Sequence, residues 1–173
     1  FTDVPSNAYY AGAVDWAVKQ GITSGTSAAT FSPDAGCTRA QMVTFLWRAA
    51  GSPKANGSAN PFTDVKADAY YYDAVLWAVE QGITSGTTAS TFAPDTTCTR
   101  AHAVTFLWRA ASSPAADAAN AFTDVASGDY FASAVRWAAE KGVTSGTSAT
   151  TFSPAATCTR AQIVTFLYRN AGN

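Results

Sequence analysis

The chain states the same message three times. Phe1-Thr2-Asp3-Val4 returns as Phe62-Thr63-Asp64-Val65 and Phe122-Thr123-Asp124-Val125. Cys37-Thr38-Arg39-Ala40 returns as Cys98-Thr99-Arg100-Ala101 and Cys158-Thr159-Arg160-Ala161. The period is 61 residues and then 60. Repetition this regular makes each copy one supersecondary unit that covers its apolar face against its neighbours, so it constrains the architecture before any other feature does. The expected organisation is a single domain, 1–173, built of units 1–61, 62–121 and 122–173.

Each unit reads as helix, loop, helix. In the first, Tyr10, Ala13, Val14 and Ala17 recur at helical spacing within 8–20, with Asp3 and Ser6 available as early caps. Gly21, matched by Gly82 and Gly142, ends that helix where a positive φ is wanted. A glycine-punctuated loop follows through Phe31-Ser32-Pro33. The second helix starts at Thr38, which forms a capping box with Gln41. Thr159 and Gln162 repeat the box. Thr99 and His102 lack the usual partner, so a weaker cap is expected there. Met42, Val43, Phe45, Leu46 and Trp47 spread round most of the second helix, a face too wide for one neighbour to cover. The predicted fold is therefore all-α: three helix-loop-helix repeats with their second helices at a common centre in a pseudo-threefold arrangement. An open solenoid is the alternative. The connectors, 51–61 and 112–121, read as surface crossings.

With 47% apolar and 13% charged residues the chain is too apolar for disorder. A net charge of −1 argues against nucleic acid as a partner. No apolar run is long enough to span a membrane, so no membrane insertion is expected. No leader-like segment precedes the first motif, and the chain reads as a mature portion of a larger protein. Three cysteines, one per unit at the same offset, make a poor disulfide framework. Each is either a small buried apolar plug or, on the sharper reading, one thiolate of a three-cysteine metal site that lacks a fourth ligand.

Arg39, Arg100 and Arg160 fall in the first turn of the second helix, where the helix dipole disfavours a cation. A guanidinium beside the free amides of a helix start would grip a carboxylate or phosphate. The alternative is an internal ion pair with Asp3, Asp64 or Asp124, of the same unit or of a neighbour. Trp16, Trp77 and Trp137 lie at the edge of the first helix's stripe, either as packing or as the apolar wall of a groove for a sugar ring. Gly25, Gly86 and Gly146 serve the turn or let backbone amides approach a ligand. Arg48, Arg109 and Arg169, in the last turn of the second helix, suit the dipole and read as structural. His102 has no repeated partner, and no nucleophile–base arrangement stands out, so the expectation is a binding module with no cofactor and no metal, not an enzyme.

The order Phe-Thr-Asp-Val, a helix bearing Trp, Gly-Ile-Thr-Ser-Gly-Thr, Thr-Phe-Ser-Pro and Thr-Arg-Ala-Gln resembles the S-layer homology motif, and three tandem copies resemble the complete domain. The resemblance implies a three-pronged spindle around a central three-helix bundle, with grooves between adjacent motifs. It implies a module at the bacterial cell surface that anchors an exported protein non-covalently to the wall. The partner implied is secondary cell-wall polysaccharide ending in a pyruvylated N-acetylmannosamine, bound by a monomer. Arg39, Arg100 and Arg160 would receive the ketal carboxylate. Asp3, Asp64 and Asp124 would hold sugar hydroxyls or the arginines. Trp16, Trp77, Trp137, Gly25, Gly86 and Gly146 would shape the groove. Where the family usually carries Glu after Thr-Arg-Ala, this chain has Gln41, His102 and Gln162, so the three grooves are expected to differ. A protein-interaction or lattice-assembly module is the competing reading.

Overall fold

A computed structural model describes residues 1–57 and 59–173. Six helices follow in chain order: α1 Ala11–Lys19, α2 Arg39–Ala49, α3 Tyr72–Glu80, α4 Arg100–Ala110, α5 Ala132–Glu140 and α6 Arg160–Asn170. Among the described residues the only β structure is a few isolated bridges. The class is all-α, as the repeats predict.

The second helix of each unit starts where its cap dictates. In α2 the Gln41 amide donates to Thr38 Oγ1 at 3.2 Å and the Thr38 amide donates to Gln41 Oε1 at 3.2 Å. α6 repeats this with Thr159 and Gln162. The second unit departs from the weaker cap expected for it. The Thr99 amide donates to His102 Nδ1 at 3.3 Å and the His102 amide donates to Thr99 Oγ1 at 3.2 Å. A neutral imidazole nitrogen takes the place of the amide oxygen, and its proton sits on Nε2. The first helices are shorter than predicted. α1 begins at Ala11 after a turn in which the Ala8 amide donates to Pro5 O, and its cap position, Tyr10, makes no side-chain cap bond. Asp3 is not a cap at all, because both its oxygens are engaged elsewhere.

The His102 cap carries a pH dependence. Burial, then the nearby Arg39 cation, holds the His102 pKa below its ordinary value. The folded state thus favours the neutral ring. The stabilisation is complete above about pH 6.5, the unfolded value, and is lost as pH falls through the lower folded pKa. Asp3 and Asp124 are also shifted down, from values already near 4, so they titrate in a separate, more acidic window. The melting temperature is expected to fall between about pH 7 and 5 by an amount worth about 1 kcal/mol. His102→Gln, which keeps the acceptor without titrating, should flatten that slope; an unchanged slope would refute the assignment.

Closure is decided by which helices meet. α3 packs on α2, α5 packs on α4, and α1 packs on α6. Each first helix therefore covers the second helix of the preceding unit, and the first unit covers the third. The ring is closed, which rules out the open solenoid. At the centre α4 also meets α2 and α6.

The cysteines form the hub. The Cys37 amide donates to Cys158 O at 3.0 Å, Cys98 to Cys37 O at 2.8 Å, and Cys158 to Cys98 O at 2.9 Å, a cycle of three backbone bonds. Bridges Thr38↔Thr97, Thr99↔Thr157 and Gly36↔Thr159 flank it. All three side chains are fully buried. Burial pushes the Cys98 and Cys158 thiols up to about 12 and Cys37 in the same direction. These are packed, protonated thiols, in line with the plug reading. Among the described residues no group of three His, Cys, Asp or Glu side chains could hold a metal ion, so the thiolate cluster is not assembled.

Candidate functional site

Each loop is held from two sides. The Phe31 and Ser32 amides donate to Asp3 Oδ1 and Oδ2 at 2.8 and 2.7 Å. Asp64 holds Phe92 and Ala93 in the same way, and Asp124 holds Phe152 and Ser153. The second residue of each pair has a positive φ: Ser32 57°, Ala93 57° and Ser153 58°. A non-glycine residue resists that conformation, and the charge-assisted bonds to the aspartate hold it there.

The arginines approach the same loops from the other side, and from another unit. Arg160 Nε donates to Phe31 O at 2.9 Å, Arg39 Nε to Phe92 O at 2.8 Å, and Arg100 Nε to Phe152 O at 2.8 Å. Each guanidinium carbon also lies 4.8 Å from the centroid of that phenylalanine ring. A second ring lies 5.3 to 5.5 Å away: Phe106 for Arg39, Phe166 for Arg100, Phe45 for Arg160. Asp and Arg thus grip one peptide, by its N–H and its C=O, without forming an ion pair with each other. Among the described residues the one ion pair is Lys19–Asp15, at 2.6 Å. The alternative reading, an Asp–Arg salt bridge, is not formed: the two side chains meet at this shared phenylalanine instead, and the partnership crosses units.

The helix-start amides are also not free. Arg39 and Ala40 amides donate to Thr96 O and Pro94 O. The matching pairs are Arg100 and Ala101 to Ala156 O and Pro154 O, and Arg160 and Ala161 to Ala35 O and Pro33 O. The neighbour's loop carbonyls use the donors that were expected to bind an anion. What remains for a ligand is the guanidinium edge. The three arginines are only 3–4% exposed. Nη2 of Arg39 and of Arg160 is buried with no hydrogen-bond partner, whereas Arg100 Nη2 reaches Thr144 Oγ1 at 3.4 Å. Desolvation lowers the pKa of all three, the signature of cations held against the cost of burial.

These edges open into grooves. One, of about 340 Å³, is lined by Arg100, Thr144–Thr147, Gln162, Thr165, Phe166, Arg169 and Tyr9. A second, of about 330 Å³, is lined by Arg39, Thr84–Thr87, His102, Thr105, Phe106, Arg109 and Tyr130. Three units contribute to each: an arginine from one, the loop and second helix of the next, a tyrosine from the third. The register places Arg160, Thr44, Phe45, Arg48 and Tyr70 in the corresponding third position. The fields of Arg160 and Arg48 reach Tyr70 accordingly. Neither lined groove contains a carboxylate and both contain two arginines, so a chain of net charge −1 carries locally cationic clefts. In the second groove Thr105 Oγ1 is a further buried polar atom without a partner.

The remaining expected site residues divide. Gly146 and Gly86 line the grooves, but their missing Cβ makes room for the protein itself. At Gly86 (φ 89°) a Cβ would lie 2.5 Å from the Phe62 ring and 2.6 Å from the carbonyls of Thr88 and Thr91; Gly25 and Gly146 are alike. Asp64 and Asp124 are absent from the two linings and stand behind the loops. The tryptophans are elsewhere. Trp16 and Trp77 border a cavity among Leu46, Leu107 and Leu167 at the C-terminal ends of α2, α4 and α6, the end opposite Arg39, Arg100 and Arg160, and Trp137 is buried. Trp16 meets Tyr168 edge-on at 5.7 Å. The groove-wall role expected of them falls to other residues, because each first helix turns its stripe edge toward the preceding unit.

The S-layer homology domain matches at residues 1–43, 61–104 and 121–164. The chain belongs to the S-layer homology family. S-layer homology units are cell-wall-binding modules of the bacterial surface, and this chain carries three of them. It is 40% identical over 95 residues to a surface-layer 125 kDa protein of Lysinibacillus sphaericus, covering 55% of this chain and 8% of that protein. A cell surface protein of Thermoanaerobacter kivui is 32% identical over 114 residues, 64% of this chain and 15% of that one. An endoglucanase of Bacillus sp. (strain KSM-635) is 36% identical over 100 residues, 58% of this chain and 10% of the enzyme. The matches thus cover no more than 15% of the length of these relatives.

The sequence reading missed the residues that rim the S-layer homology grooves. Tyr9, Tyr70 and Tyr130 are 60–67% exposed, each braced edge-on at 5.0 Å by Tyr10, Tyr71 or Phe131. An exposed aromatic braced in this way presents a flat apolar face beside the groove cations. Their recurrence one residue before another aromatic was the available signal. For Arg109 and Arg169 the helix dipole is only part of the account. Both donate to loop carbonyls, of Ile83 and Val143, and both line the grooves.

Proposed function

We propose that this domain anchors its protein to the cell wall by binding an acidic polysaccharide in the inter-unit grooves. The observation that carries the proposal is a buried guanidinium with an unpartnered Nη2, opening into a groove that holds two arginines and no carboxylate. Such a group gains most from a ligand carboxylate, which supplies the missing charge and acceptor together. The pyruvate ketal of a terminal N-acetylmannosamine has that chemistry. The sugar ring would lie on Tyr9, Tyr70 or Tyr130, and the threonine hydroxyls of the loop would meet its hydroxyls. The module binds without catalysing, and it needs no cofactor. His102 makes its groove chemically distinct from those with Gln41 and Gln162.

Calorimetric titration with purified wall polysaccharide, intact and depyruvylated, tests this. Binding to the intact polymer with at least about 10-fold loss on depyruvylation is expected for the loss of a charge-assisted pair. Equal binding to both would reject the carboxylate. Self-association without polysaccharide would favour a lattice-assembly role instead.

A further inference from the structure

The three grooves differ in how many buried polar atoms they leave unmatched. Thr44, Thr105 and Thr165 stand at one position of the second helix, and all are buried. Thr44 Oγ1 donates to Ala40 O and Thr165 Oγ1 to Ala161 O, both at 2.7 Å. Thr105 Oγ1 has no partner among the described residues. The arginines vary as well. Arg100 Nη2 reaches Thr144 Oγ1 at 3.4 Å, whereas Nη2 of Arg39 and of Arg160 is unmatched. Arg39 and Thr105 line the same groove, so that groove holds two unmatched buried atoms, the Arg160 groove one and the Arg100 groove none. His102, the residue that sets the Arg39 groove apart in sequence, does not produce this difference. Its Nδ1 is spent on the cap, as Oε1 of Gln162 is in the Arg100 groove, so each keeps an N–H donor.

We propose that the Arg39 groove is the high-affinity acidic-ligand site of this domain, with Thr105 as its specificity-determining hydroxyl. An unmatched buried donor costs the empty protein free energy that a ligand oxygen restores on binding. A carboxylate has two oxygens, enough to accept from the Arg39 guanidinium and the Thr105 hydroxyl together. In the Arg100 groove a ligand must share or displace the Thr144 bond, and in the Arg160 groove the Thr44 hydroxyl is already committed to its own helix. The order of filling is therefore Arg39, then Arg160, then Arg100. The inference rests on the carboxylate reading above and adds to it which groove fills first.

The test follows the Nε–H signals of the three arginines by NMR during titration with the pyruvate ketal of methyl N-acetylmannosaminide. Arg39 is expected to saturate at a ligand concentration at least about 10-fold below Arg100, with Arg160 between them. Thr105→Val should weaken binding at Arg39 by about 5–10-fold and leave the melting temperature unchanged or higher, because no internal bond is lost. Thr165→Val, which does lose one, should lower it by about 2–4 °C. Three signals that saturate together, Arg39 affinity untouched by Thr105→Val, or a melting loss in Thr105→Val equal to that in Thr165→Val would each overturn the proposal and leave the carboxylate reading standing. No movement of any of the three signals would reject both.

Discussion

Substituting Met for Arg39, Arg100 and Arg160 together is expected to weaken binding of the pyruvylated polymer by at least about 100-fold, the scale of one lost charge-assisted bidentate contact. Methionine keeps much of the apolar stem against the two phenylalanine rings and removes the fork. The substitution also leaves the carbonyls of Phe92, Phe152 and Phe31 without their donors. Each orphaned carbonyl costs about 1–3 kcal/mol, partly offset because the buried cation disappears. Binding and stability should therefore fall together, and single variants separate them. Arg39→Met alone should silence one groove and leave the others titratable, so calorimetry would show a reduced number of sites with the remaining affinity unchanged. A folded triple variant that still binds as the parent does would remove the arginines from the site.

The second large effect is structural. Gly86→Ala is expected to destabilise the domain by about 2–4 kcal/mol, lowering the melting temperature by roughly 5–15 °C. The added Cβ at φ 89° meets two backbone carbonyls and the Phe62 ring, and the carbonyls belong to the Thr88 and Thr91 loop that the motif needs. Gly82→Ala is the control. Its φ is 67° but nothing lies within 4 Å, so only the backbone strain of about 1 kcal/mol applies. Equal losses for the two in thermal denaturation would show that the close approach at Gly86 carries no energy. Because Gly86 also lines the groove beside Arg39, the variant should lose affinity in that groove beyond its loss of stability.

A feature common to both predictions is that the grooves and the fold use the same residues. Phe31, Phe92 and Phe152 are fully buried, each gripped by an aspartate of its own unit and an arginine of another. The arginine that faces the groove is also a bolt between units. Ligand bound at its free edge would tighten that bolt, so the polymer should raise the melting temperature as well as anchor the protein.

Much of this was legible in the residues. The repeat itself announced three equivalent units. Helical spacing and the Thr-Gln capping boxes located α2 and α6, the position of the cysteines marked them as interior, and the recurrence of Arg39, Arg100 and Arg160 against the helix dipole marked a purpose. What sequence periodicity records is that a face is buried. It does not record which neighbour buries it. In a chain of three near-identical units the first helix can pack on its own second helix or on that of another unit with the same pattern of apolar residues. Only the tertiary structure put α1 on α6 and α3 on α2. From that choice follow the closed ring, the tryptophans at the end away from Arg39, Arg100 and Arg160, the exposed Tyr9, Tyr70 and Tyr130 brought in from a third unit, and the helix-start amides taken up by a neighbour's carbonyls. His102 illustrates the same limit on a smaller scale: composition showed a missing glutamine, whereas geometry showed that an imidazole nitrogen reaches the same amide.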